Sequence, residues 1–161
     1  GTAFLESMNQ EGQRRILDYY EPKESFTRKC FPDVEGVCYV ISRSGCQVAF
    51  LNDRKLSSAY KKYEKRGQLL EEILMGTQKR ALMHADVLGQ KTLRQKLITY
   101  FQFLNRRKGR DGFSLPFSYT DCADYLFVDR SAMMRELGRM KEEGLIRTEG
   151  KKIWLEEKKL R

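Results

Sequence analysis

Asp129-Arg-Ser-Ala-Met-Met-Arg-Glu-Leu-Gly-Arg-Met-Lys-Glu-Glu-Gly-Leu-Ile146 reads as a helix that turns Arg130, Ser131 and Arg135 one way and Met133, Leu137 and Met140 the other. Apolar residues three and four apart make a buried stripe, and the polar side chains opposite are left for solvent or a partner. Just before it, Ser118-Tyr-Thr-Asp-Cys-Ala-Asp-Tyr-Leu-Phe-Val128 places a Ser three residues ahead of Asp121, a capping pattern that opens a short helix ending near Leu126. Asp129 is placed to cap the second helix as Ser118 caps the first. Two short helices around a tight turn form a helix-turn-helix, in which the start of the second helix approaches base edges in the DNA major groove. Arg130 and Arg135 are then candidates for bidentate contacts with guanine, each worth about 1–3 kcal/mol of discrimination, while Ser131 serves several bases more weakly and Met134 meets a thymine methyl.

Beyond this helix, Leu145-Ile-Arg-Thr148 and Lys151-Lys-Ile-Trp-Leu155 read as two strands joined at Glu149-Gly150, a wing. Lys151 and Lys152 beside the turn are expected on the DNA backbone together with Ser118, Tyr119 and Arg139, adding affinity without sequence information. Trp154 alternates with the lysines and is expected as a core anchor. Charge follows the same division. Residues 91–161 carry 17 Lys and Arg against 10 Asp and Glu, whereas residues 1–90 carry 14 against 12, so most of the net +9 sits with the paired helices. A basic module is the footprint of phosphate binding, although charge alone fits a solvated surface equally well.

The chain resembles the Crp/Fnr-type bacterial transcription regulators at Leu115-Pro-Phe-Ser118, Ala123-Asp-Tyr-Leu126, Asp129-Arg-Ser131 and Gly144-Leu-Ile146. Further back, Cys46-Gln-Val-Ala-Phe-Leu51 looks like the last strand of that family's effector-binding roll. Lys91-Thr-Leu-Arg-Gln-Lys-Leu97 looks like the start of the helix after its dimerisation helix. The resemblance implies a homodimer on double-stranded DNA, RNA polymerase as a further partner, and a small-molecule effector of unknown identity in the roll. Many relatives carry Glu at the Ser131 position, so their operator sequence does not transfer. Cyclic-AMP-binding relatives place an Arg-Ser pair where this chain has Glu35-Gly-Val-Cys38, which disfavours cyclic AMP.

Phe4, Leu5, Met8, Ile16, Leu17 and Tyr20 fall at near-helical spacing, interrupted by Gly12 and closed by Pro22, and are read as one or two short helices covering the roll. Ser25-Phe-Thr-Arg-Lys-Cys30 is read as the start of a strand. Val37-Cys-Tyr-Val-Ile41 and Gln47-Val-Ala-Phe-Leu51 are read as two more, around a turn at residues 42–45. That is too little strand for a closed pocket. In the resembled family several strands lie between the equivalents of Cys30 and Phe31. Either the middle of the roll is missing at a seam there or the molecule is naturally abbreviated, and the cost of unpaired strand edges favours the seam.

From Arg66 to Leu88, the residues Leu70, Ile73, Leu74, Thr77, Ala81, Leu82, Ala85 and Leu88 form an apolar stripe suited to pairing with a second copy. An isolated stripe is more often packed on its own domain. Beside a helix-turn-helix, pairing about a two-fold axis is favoured, because it sets two recognition helices roughly 34 Å apart, one DNA turn. A further helix carries Leu93, Leu97, Tyr100, Phe101 and Leu104 and stops at Arg106-Arg-Lys-Gly-Arg110, cations suited to a helix C-terminus.

The expected fold is α+β: a partial N-terminal β-roll with covering helices over 1–65, a long dimerisation helix over 66–89 and a C-terminal winged helix-turn-helix over 90–161. Four cysteines without a Cys-x-x-Cys pair (Cys30, Cys38, Cys46 and Cys122) read as reduced, mostly buried thiols of a cytoplasmic protein. His84, the single histidine, falls in the long helix and is read as facing a partner or solvent. No apolar run approaches the roughly 18 residues of a membrane span. The chain carries no Gly-rich phosphate loop and no His-Glu metal motif, so no enzyme activity, metal or cofactor is expected. Two rivals stay open: a winged helix that docks protein, and an architectural protein that binds DNA without sequence preference.

Overall fold

The computed structural model describes residues 1–26, 37–50, 64–109, 111–150 and 152–156, with the side chains of 64–67, 69 and 70 left aside. Two compact units are present, one formed by 1–13 with 17–82 and the other by 14–16 with 83–161.

The first unit is built on strands β1 (Ala3–Met8) and β3 (Val37–Ser42) and on β2 (Arg14–Tyr20) from Leu17 onward, ordered β2-β1-β3. Strand β1 pairs antiparallel with β3, with Phe4 opposite Ile41 and Leu5 opposite Val40. The helices expected over residues 4–20 are therefore strands. Each apolar run is only six or seven residues long, so a spacing of one, three or four fits a helix without excluding a buried strand. The turn between the runs decides the matter. Asn9 Oδ1 accepts from the backbone N–H of Glu11 at 3.1 Å and of Gln13 at 2.8 Å, and Gly12 takes φ +77°, the left-handed backbone that a tight reversal needs. As the central strand, β1 is buried on both faces from Ala3 to Ser7, which erases the alternation that would have marked it. Ala3, Leu5 and Tyr20 form the core with Leu17, Phe26, Cys38 and Val40 against them.

The expected strand from Gln47 does not form over the described residues 47–50, which are irregular and exposed, Phe50 to 93%. Alternation supplies a face but not a hydrogen-bonding neighbour, and among the described residues none lies beside this segment. Ser25 and Phe26 are likewise irregular, while 27–30, the seam at Cys30–Phe31 and residues 35–36 lie outside the described residues. Helix α1 (Glu64–Gly89) is the first described helix. Its Arg80 meets Asp18 of β2 at 3.1 Å and lies 5.1 Å from the Tyr20 ring centre.

The second unit contains helix α2 (Leu93–Lys108), strand β4 (Phe113–Ser114), helices α3 (Tyr119–Leu126) and α4 (Arg130–Glu142), and strands β5 (Ile146–Glu149) and β6 (Lys152–Leu155). Thr92 and Gln95 close a capping box at the start of α2, and Arg106, Arg107 and Lys108 end it, favourable against the helix dipole. Its buried stripe is Leu97, Tyr100, Phe101 and Leu104. Phe101 lies 5.3 Å from Phe113, and Tyr100 lies 5.4 Å from Tyr125, ring centre to ring centre. The sheet order is β4-β6-β5, with Phe113 opposite Ile153 and Thr148 opposite Ile153 from the other side. Strand β4, two residues long, is too short to leave any pattern in the sequence.

His84 does not face solvent or a partner. It is buried, its ring stacked at 3.9 Å on that of Tyr125, and its Nε2 is 2.7 Å from the Tyr125 carbonyl oxygen. The expectation erred because a polar side chain on an exposed-looking helix face was weighed by type alone, whereas a flat ring stacks and bonds as one unit.

Candidate nucleic-acid interface

The turn between α3 and α4 is held by backbone and side-chain caps. Ser118 Oγ accepts from Asp121 N–H at 3.1 Å and donates to Asp121 Oδ2 at 2.7 Å, so the buried carboxylate is bonded within its own turn. At the far end of α3, Phe127 takes the left-handed φ of 55°, its N–H reaches Ala123 O, and the chain reverses into Asp129. Asp129 Oδ1 accepts from Ala132 N–H at 2.7 Å. Each such cap contributes about 1 kcal/mol, and together they set where α4 begins.

Helix α4 then faces two ways, as its spacing predicts. Met133 and Met140 are fully buried and Leu137 nearly so. Arg130, Ser131 and Arg135 are exposed within its first turn and a half, a rise of about 7.5 Å. Among the described residues none of the three makes a hydrogen bond or an ion pair, so their donors are available. Met134 is 39% exposed between them. Arg139 continues the row with its side chain 67% exposed, 3.5 Å from Glu136. Ser118 is exposed at the start of α3, and Tyr119 is half-buried, its hydroxyl pKa raised by burial first and by Cys122 second.

On the wing, β5 and β6 are joined through Gly150 at φ +56°, and Lys152 is exposed; Lys151 lies outside the described residues. Trp154 is not the core anchor. Ile153 fills the core, and Trp154 is half-buried on the opposite face of β6, on the side of Lys152, whose Nζ lies 5.1 Å from the indole. Residues two apart share a face of a strand, so Trp154 goes with Lys152 and not with Ile153. Arg147, directly opposite Trp154 in the register, stacks over the indole at 4.1 Å. The other flank of the indole meets Gly112, at φ +85°, where an added Cβ would come within 2.7 Å of Trp154 Nε1.

Sequence reasoning also missed an ion cluster. Arg94, in the first turn of α2, donates from Nε to Glu136 at 2.5 Å and from both Nη atoms to the Glu143 carboxylate at 2.7 and 2.8 Å. These bonds raise the pKa of the guanidinium, Glu143 first and Glu136 second, and Arg94 in turn holds Glu143 below the usual carboxylate range. The one available signal was a cation in a first helical turn, where the dipole disfavours it.

On α1 the stripe residues Ile73, Thr77 and Leu88 are half-buried, while Leu74, Ala81, Leu82 and Ala85 are exposed; the Leu70 side chain is not described. Leu82 reaches 65% exposure, and Met75, outside the expected stripe, reaches 60%. Of the described cysteines only Cys122 is buried; Cys38 is half-buried and Cys46 exposed, because the segment after β3 is not a strand packed on a core. Burial raises the Cys122 pKa from 9.0 to about 12. At pH 8 a thiol reagent should modify Cys46 rapidly and Cys122 only on unfolding, with the site read by peptide mass spectrometry. Because the unfolded thiol ionises first, Cys122 costs stability as pH rises from 9 toward 12. Fast native labelling of Cys122 would contradict its packing. Among the described residues no three His, Cys, Asp or Glu side chains gather where a metal could be held, and no helix is long and apolar enough to cross a membrane.

Residues 95–161 match the Crp-like helix-turn-helix domain. The transcriptional activator protein FnrL of Cereibacter sphaeroides is 25% identical over 162 residues, covering 94% of this chain; the chain spans 64% of that relative's length. FixK2 from Bradyrhizobium japonicum superposes with a TM-score of 0.71 at 20% identity, over 97% of this chain and 79% of that one. A CprK structure complexed with OCPA reaches 0.74 at 16% identity, over all of this chain and 77% of that one. FnrL is a transcriptional activator by name, and the two solved structures share the α+β arrangement described above. With the caps, the half-buried helix α4 and the wing in place, residues 95–161 form a Crp-like helix-turn-helix domain, and the chain as a whole is similar to Crp/Fnr-type proteins.

Proposed function

We propose that this protein is a homodimeric, sequence-specific DNA-binding transcription regulator whose output is set by a small molecule other than cyclic AMP in the N-terminal unit. The observation that carries the reading is the start of α4: three exposed polar side chains, without partners among the described residues, on a helix whose opposite face is buried. Arg130 and Arg135 offer the planar forks that match guanine O6 and N7, and Ser131 sits between them. Arg139, Ser118, Tyr119 and the wing lysines Lys151 and Lys152 serve the phosphates.

The exposed residues of α1 support pairing with a second copy, since an exposed apolar row on a long helix has a cost in water that a twin removes. Ligand control then follows from linkage: an effector with different affinities for two arrangements of the paired helices changes the spacing of the recognition helices. The test is selection of duplexes from a random pool by the full chain, with sedimentation to measure its mass. Enrichment of an inverted repeat whose half-sites lie about one DNA turn apart, bound by a dimer, is the expected outcome. A monomer that holds scrambled and enriched duplexes equally at moderate salt would overturn it.

A further inference from the structure

We propose that Arg94 is a positioning residue for DNA binding: by holding Glu136 and Glu143 it keeps Arg139 available to a backbone phosphate. The inference rests on the DNA-binding reading above and adds a residue outside the recognition helix to the machinery.

The residues of this cluster belong to α2 and α4 of the second unit. Glu136 sits on α4 immediately after Arg135, its side chain only 12% exposed, and Glu143 caps the end of the same helix. Two carboxylates on a helix that meets phosphates are a liability, since like charges repel at this range. Arg94 reaches across from α2 and answers both, with one bond to Glu136 and a bidentate pair to Glu143. No need of α2 itself explains a cation there: its first turn already has a capping box, and the helix dipole opposes positive charge at that end.

The consequence falls on Arg139. It lies three residues after Glu136, the spacing at which helical side chains meet, but the present separation of 3.5 Å with a side chain 67% exposed is a loose pairing. Glu136 makes its short bond to Arg94 instead. Were Arg94 removed, Glu136 would be left partly buried with Arg139 as the cation nearest at hand. Charge-assisted bonding would draw Arg139 down onto α4 and away from solvent. DNA would then lose a phosphate contact.

The experiment is the salt dependence of binding of the full chain to a duplex of random sequence, read as the slope of log affinity against log salt. Arg94→Ala should lower the slope by about 0.9 per protomer and raise Kd about eightfold per protomer at 0.1 M salt, the effect of one lost phosphate contact. Arg94→Ala with Glu136→Gln should restore the wild-type slope, because the competing carboxylate is gone; a purely structural role for Arg94 would not be repaired this way. An unchanged slope in Arg94→Ala, or no recovery in the double variant, overturns the proposal. Should Arg94→Ala fail to fold, Glu136→Gln alone still decides: a slope equal to or steeper than wild type supports it, and a shallower one overturns it. A wild-type protein without salt-dependent binding would instead remove the DNA-binding reading itself.

Discussion

Replacing Arg130 or Arg135 with Ala should each raise Kd for the selected duplex about 5- to 150-fold, the equivalent of about 1–3 kcal/mol, while affinity for scrambled duplex falls far less. The split is the informative part. A guanidinium that forks onto guanine O6 and N7 discriminates among bases, so its loss flattens preference at one position of each half-site. A guanidinium that merely meets a phosphate weakens every duplex alike and lowers the salt slope. Neither substitution should disturb the fold, because both side chains are exposed and make no ion pair or hydrogen bond among the described residues. Fluorescence anisotropy with operator and scrambled duplexes, beside circular dichroism, checks both points. Equal losses on the two duplexes would move these residues from base recognition to backbone contact.

Phe101→Ala should cost about 3–5 kcal/mol of stability, a large share of the 5–15 kcal/mol typical of a domain. The ring is fully buried on α2, against Phe113 of β4 and near Tyr100, and its removal leaves a cavity among rigid aromatic neighbours that cannot collapse into it. For a unit of this size the melting temperature should fall by more than about 10 °C. Leu82→Ala, which trims a side chain 65% exposed, gives the contrast: little change for a lone chain, and weakened self-association if α1 pairs with a twin. A Phe101→Ala protein melting within about 3 °C of wild type would show that the unit is not held together by this cluster.

The paired helices were legible in the sequence because everything that defines them is local. Ser118 and Asp129 cap within three residues, and Met133, Leu137 and Met140 keep helical spacing, so no distant partner is needed to read them. The sheet of the first unit was not legible for the opposite reason. Strand β1 is buried on both faces, and only its neighbours β2 and β3 distinguish it from a short helix. Trp154 is expected in the core from its alternation with the lysines, but Lys152 lies two residues before it and shares its face, which strand parity makes the outer one. The Arg94 cluster joins residues more than 40 positions apart, and nothing in either segment alone announces it. Arg130, Ser131 and Arg135 were found from pattern, but that they make no bond among the described residues is something only coordinates show.

The order of strands in the second sheet has a bearing on how this unit comes into being during synthesis. The central strand is β6, while the strands that flank it, β4 and β5, precede it in the chain. Until residues 152–155 leave the ribosome, neither flank has a hydrogen-bonding neighbour, and Phe113 waits without the Ile153 it lies opposite. The winged helix therefore closes in one late event, and any stall in translation before that point leaves a nascent chain with sticky apolar side chains and open strand edges, a natural client for chaperones.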